Sequence, residues 1–246
     1  QRFQPMRVLA IALLAICLST HAPTTARAQS PWPDAAPDSW GLAIVDVETT
    51  GLDPDHHEMI DIGLIYATLD GDELGRLFLR IHPEHPERAG EVARSINGYS
   101  EARWQALDAL EPGDAVHRIL DFHRAHADSR RFILTAYNAP FDRAFLHALL
   151  TGHGSTVREL YTWFVLDLPS MAFGLGATAL ANDRVAARFG LPPETDDPME
   201  HTGLSGAEWN LALYRAMQRI EAESRRPSGE SDAGQAPVNS ATRDSR

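Results

Sequence analysis

Leu42-Ala43-Ile44-Val45-Asp46-Val47-Glu48-Thr49-Thr50-Gly51-Leu52 runs from an apolar stretch into two carboxylates at spacing two. In a strand, residues i and i+2 point to the same face. Asp46 and Glu48 therefore project side by side from a rigid element. Adjacent carboxylates repel, and a bound divalent cation is the simplest relief. Thr49-Thr50-Gly51 ends the strand in a turn, where glycine tolerates positive φ. The stretch reads as a hard-metal site at a strand end.

Around it the chain alternates. Met59–Leu69 is apolar with polar interruptions, and Asp70-Gly71 is a hairpin signal before a strand at Glu73–Ile81. The first three strands are thus predicted to be antiparallel. Helical patterns follow at Ser100–Leu110 and Ala115–His126. Arg131–Ala136 reads as a buried strand, and Pro140 suits the first turn of a helix running to Leu150. Tyr161–Leu166 is a further strand. Ala179–Phe189 reads as a helix stopped by Gly190 and Pro192. The last helix is predicted to open at His201, with Leu204, Ala207, Leu211, Tyr214 and Met217 at helical spacing. Strands first, then alternating helices and strands, give an α/β class: a mixed sheet flanked by helices.

The 246 residues suit one domain with tails, here placed at 40–222, with a formal net charge of −12. Residues 1–28 read as a signal peptide. Met6-Arg7 is a short basic start, Val8–Leu18 an apolar run too short to span a membrane, and Ala26-Arg27-Ala28 a cleavage site. The expectation is a periplasmic or secreted protein with no stable membrane association after cleavage. Losing Arg2, Arg7 and Arg27, with no acid beside them, takes the charge to −15. So acidic a chain does not hold nucleic acid by bulk charge. Cys17 is the only cysteine and lies in the apolar run, so the processed chain has no intrachain disulfide. Residues 29–39 read as a Pro-rich linker and 223–246 as a disordered tail. Oligomeric state is not legible.

Two more constellations follow the first. Tyr137-Asn138-Ala139-Pro140-Phe141-Asp142 succeeds the buried strand, which puts Asp142 in a first helical turn. There it either complements the helix dipole or faces a metal site. His201-Thr202-Gly203-Leu204-Ser205-Gly206-Ala207 opens the last helix. His82 and His85, and His123 and His126, are read as solvated pairs rather than ligands, having no further ligand cluster.

Taken in chain order, the three constellations resemble the DEDD superfamily of 3′–5′ exonucleases, in the histidine subclass that includes proofreading epsilon subunits and ribonuclease T. Ser95-Ile96-Asn97-Gly98-Tyr99, followed by Trp104, is similar to the family's intervening segment. The resemblance implies a ribonuclease H-like fold, two Mg²⁺ or Mn²⁺ ions, and hydrolysis at the 3′ ends of single-stranded DNA or RNA to release mononucleotides. It implies Asp46, Glu48 and Asp142 as metal ligands and His201 as general base. Thr49, Leu52, Asn138 and Phe141 match positions that flank the terminal nucleotide. The chemistry suits the residues: two ions activate water and stabilise a leaving oxyanion, and an imidazole takes the proton.

One position departs. The family's last aspartate, five residues after the histidine, is Gly206 here. Asp196, Asp197 and Glu200 are candidate substitutes, and the residues give no basis for choosing. The expectation is an exonuclease weakened at one ligand, improved by Gly206→Asp. The alternative is an inactive nucleic-acid-binding or scaffold protein that keeps the fold.

Overall fold

The computed structural model describes residues 39–224. The expected signal peptide, nearly all of the linker and nearly all of the tail lie outside them. The strands are β1 (Trp40–Thr49), β2 (Met59–Ala67), β3 (Glu73–Arg80), β4 (Arg131–Ala136) and β5 (Tyr161–Asp167). They form one sheet in the order β3-β2-β1-β4-β5. β1–β2 and β2–β3 pair antiparallel, whereas β1–β4 and β4–β5 pair parallel. This is the mixed, ribonuclease H-like arrangement expected from the sequence.

Eight helices are described: α1 (Glu91–Asn97), α2 (Glu101–Ala106), α3 (Pro112–His126), α4 (Ala139–Gly152), α5 (Val157–Leu160), α6 (Leu168–Gly174), α7 (Asn182–Phe189) and α8 (Gly203–Ser224). α1, α5 and α6 were not predicted. The helix expected at Ser100–Leu110 is shortened to α2, and that at Ala179–Phe189 begins three residues later. His201 precedes α8 rather than opening it.

Alternation along β1 divides the core. Ala43, Val45 and Val47 pack with α3 and α4, against Ile119, Phe122, Phe145 and Leu146. Leu42 and Ile44 pack on the opposite face with Val185 of α7 and with Leu213 and Met217 of α8. Asp46 and Glu48 continue this second face, so period two turns them toward α8. β4 pairs with β1 only from Trp40 to Ile44. The end of β1 is thereby left open to α4, and Val47 N–H donates to the Asp142 carboxylate there.

α8 approaches the sheet closely because neither surface carries side chains at the crossing. A Cβ on Gly63, the β2 partner of Asp46, would lie 2.1 Å from the Gly203 carbonyl oxygen. Asn210 Nδ2 donates to Val45 O at 3.2 Å and fixes α8 along β1.

The solvated reading of His123 and His126 is corrected. Both are half-buried. His123 Nδ1 lies 2.8 Å from the Tyr66 hydroxyl, and His126 Nδ1 lies 2.9 Å from Phe122 O. Burial pulls the His123 pKa down. Both histidines tie α3 together or to the sheet.

Candidate active site

Asp46, Glu48, Asp142 and His201 converge on one cavity of about 640 Å³ at the end of β1. Asp46 and Glu48 come from the strand and Asp142 from the first turn of α4. His201 comes from the segment between α7 and α8. Thr49, Leu52 and Phe141 line the same space. Asn138 does not: it is exposed at the N-cap of α4, in the left-handed region with φ 68°. The structure does not bring it to the place that the resemblance assigned to it.

Electrostatics dominate the floor. The Asp46 pKa stands well above the usual carboxylate range, chiefly through burial, then through Asp142, Glu194 and Glu48. Burial also raises Asp142 strongly, with Glu48 and Glu194 adding to it, although two backbone N–H donors pull the other way. Asp142 is 2% exposed, yet its Oδ2 has no hydrogen-bond partner. A buried unpaired carboxylate oxygen is costly. Crowded, buried oxygen donors with an orphaned atom among them fit a hard divalent cation. Among the described residues, no three His, Cys, Asp or Glu side chains already stand in coordinating geometry. Glu48 is engaged elsewhere: its Oε1 lies 3.0 Å from His201 Nε2.

His201 is oriented from behind. Its Nδ1 lies 2.9 Å from the Thr195 carbonyl oxygen, which only accepts. Nδ1 therefore carries a proton and Nε2 faces the cavity. The hydrogen bond to Glu48 is the largest cause pushing the His201 pKa up to about 9, against the opposing pull of burial.

Two residues of this site were missed in the sequence. Glu194 reaches the cavity, with burial raising its pKa, His201 lowering it, and Glu48 and Asp196 raising it further. Asp61 sits opposite Glu48 in the β1–β2 register and is 1% exposed. Its Oδ1 accepts the Gly203 N–H at 2.8 Å, holding the start of α8. A carboxylate inside the apolar run Met59–Ala67 was a legible signal for Asp61. Glu194 gave none, being one of several acids in a proline-rich segment.

The Ser95–Tyr99 segment also finds its place. Asn97 Nδ2 donates to Thr49 O at 3.0 Å, clamping the end of β1. Ile96 and Val92 of α1 line the cavity beside Leu52. Leu52 and Val92 are 82% and 74% exposed and form an apolar rim to it.

No family model matches the sequence. Ribonuclease T of Citrobacter koseri is 26% identical over 181 residues, spanning 70% of this chain and 81% of that protein. Ribonuclease T of Haemophilus influenzae strain PittEE is 26% identical over 182 residues, spanning 70% and 76%. In fold, the chain is similar to E. coli exonuclease I in complex with a dT13 oligonucleotide, with TM-score 0.61 and 11% identity over 75% of this chain. It is also similar to the zinc-bound exonuclease I–single-stranded DNA complex, with TM-score 0.57 and 13% identity over 76%. The chain spans less than half the length of those exonuclease I chains, 42% and 41%. Motifs, fold and relatives together make the chain similar to the DEDD-superfamily 3′–5′ exonucleases.

Proposed function

We propose that this chain is an exported, divalent-metal-dependent exonuclease that removes mononucleotides from the 3′ ends of single-stranded DNA or RNA. The observation that carries the reading is the convergence of Asp46, Glu48, Asp142 and His201 on one cavity. Export rests on the basic start, apolar run and Ala26-Arg27-Ala28 pattern alone. Among the described residues, no helix is long and apolar enough to cross a membrane.

Asp46, Glu48 and Asp142 are the residues that would hold Mg²⁺ or Mn²⁺. Two such ions, when bound, supply positive charge against the phosphodiester and lower the pKa of the attacking water. The protein supplies the rest. The apolar rim of Leu52, Val92, Ile96 and Phe141 offers a surface on which a terminal base stacks, through contacts that tolerate any base. His201 Nε2 is the proton acceptor. While Glu48 hydrogen-bonds it, the imidazole stays protonated at neutral pH and takes no proton. Without the Glu48 hydrogen bond, as when Glu48 would hold a cation instead, the largest cause of that raised pKa would be gone. The imidazole would then fall back toward its ordinary range, where it can act as a base near neutral pH. Thr195 O keeps the ring in the required tautomer throughout.

Gly206 favours the second reading, a protein that keeps the fold and binds nucleic acid without cutting it. An assay separates the two. Oligonucleotides labelled at the 5′ end, DNA and RNA, are incubated with the full chain and Mg²⁺ or Mn²⁺. A ladder shortening from the 3′ end is expected, abolished by EDTA and by Asp46→Ala. Cleavage that resists EDTA, or internal cuts, contradicts the assignment. Intact substrate that nevertheless binds the protein supports the second reading.

A further inference from the structure

Gly206 leaves the site one carboxylate short, and the structure shows what occupies the place. A Cβ built on Gly206 would lie 2.2 Å from Asp46 Oδ2 and 2.8 Å from Glu194 Oε1. The volume that a residue-206 side chain would enter is therefore already taken by two carboxylates. One is the strand aspartate and the other comes from the segment between α7 and α8.

Glu194 is held for this position. Asn182, at the start of α7, donates from Nδ2 to Glu194 Oε2 at 3.2 Å, and its Oδ1 accepts the Glu194 N–H at 3.3 Å. One carboxylate oxygen is tied back, and the other, Oε1, is left toward Asp46. The segment itself is anchored on both sides. Trp209 Nε1 donates to Pro192 O at 2.9 Å, and Thr195 O receives His201 Nδ1. The orphaned Asp142 Oδ2 shares the cavity. Asp196, Asp197 and Glu200, the substitutes considered from sequence, are exposed and do not line it.

We propose that Glu194 replaces the missing carboxylate at position 206 and serves as a fourth acidic ligand for the cation of the Asp46–Glu48–Asp142 centre. This rests on the metal-dependent reading above. It also changes the meaning of Gly206. The glycine is the space that lets a ligand from the preceding segment reach Asp46, rather than a mark of a decayed site.

The test measures metal binding without substrate. Metal-stripped full-length protein is titrated with Mn²⁺, and free Mn²⁺ is followed by electron paramagnetic resonance. The proteins compared are wild type, Glu194→Gln, Asp196→Asn and Asp46→Asn. Glutamine keeps the shape of Glu194 and its ties to Asn182 but loses the anionic oxygen. Glu194→Gln is expected to weaken Mn²⁺ binding about tenfold or more, in the range that changes to a metal centre's immediate surroundings cost. Asp196→Asn should bind like wild type. Circular dichroism in EDTA checks the fold, and Glu194→Ala gives the same reading if the glutamine variant is unstable. Wild-type affinity in the Glu194 variants overturns the proposal. If Asp46→Asn still loses Mn²⁺ in that case, the metal-dependent reading survives. No Mn²⁺ binding by wild type overturns both.

Discussion

At the scale of single residues, Gly206 and Asp61 set terms that the motifs did not. Replacing Gly206 with alanine should favour the helix by about 1 kcal/mol on propensity alone. Its methyl group would nonetheless stand 2.2 Å from Asp46 Oδ2. Relieving that contact costs about 1–3 kcal/mol, which cancels or exceeds the helix gain, so Gly206→Ala is expected to be no more stable than wild type in urea and to lose roughly tenfold or more in metal-dependent turnover. Unchanged turnover would show that Asp46 moves aside at no cost. The same contact revises the expectation from sequence for Gly206→Asp. An aspartate there displaces Asp46 and Glu194 before it contributes a ligand, so lower activity is expected rather than improvement.

Asp61 titrates with folding. Burial first, then Glu48, raises its pKa from 3.8 to about 7. Between those values the folded protein keeps a proton that the unfolded chain has released. Stability therefore falls as pH rises through this window and, for this group, levels off above it. Asparagine keeps the acceptor for the Gly203 N–H and carries no charge. Asp61→Asn should thus be more stable than wild type at about pH 8, by at least about 1 kcal/mol, with the advantage shrinking toward about pH 4.5. Urea unfolding in EDTA at both pH values measures it. An advantage independent of pH would rule out the titration.

Among the elements, the segment leading to His201 is the one whose placement is least local. Arg103, in α2, donates to Asn97 O and Gly98 O at 3.0 Å each, to Pro198 O at 3.3 Å and to Met199 O at 3.3 Å. A single guanidinium thus joins the α1–α2 corner to the approach of His201. Arg103→Ala leaves four carbonyls without this donor and frees His201, the proposed base, to drift. Turnover should fall ten- to a hundredfold, because small misplacement of a catalytic group is costly. Global unfolding should shift little. Arg103→Lys should recover only part, since a point charge does not replace a planar fork. Wild-type turnover in Arg103→Ala would show that the segment holds itself.

Strands were legible at this scale and short helices were not. Arg131–Ala136 was read to the residue, because a continuous apolar run between a charged start and Tyr137-Asn138 has one reading. α1 escaped notice because Val92 and Ile96 face the cavity, not the core, so only Asn97 is buried along it. α5 and α6 span four and seven residues, too few turns to show a period.

For the whole molecule, two core layers on one mixed sheet bring four elements to the end of β1, and an acidic surface leaves the site to supply its own attraction. The chain carries a formal −12, so under the proposed function substrate would have to be held by cations and stacking rather than by a basic face. Asp46, Glu48, Asp142 and His201 were legible because each lies at a strand end or near a helix start, where order in the chain fixes position. Glu194 was not legible. It belongs to a segment without periodicity, and its place comes from Asn182 and from the space above Gly206, neither of which is local in sequence.

The central claim is that these side chains form one cation centre completed by Glu194. Anomalous diffraction from crystals of the full chain grown with Mn²⁺ and a mononucleotide tests it most directly. The expected result is Mn²⁺ among Asp46, Glu48 and Asp142, with Glu194 Oε1 bound at about 2.1–2.3 Å, and His201 Nε2 released from Glu48. A cation there with Glu194 still turned away, or no cation between these carboxylates in a protein that degrades nucleic acid, would contradict it.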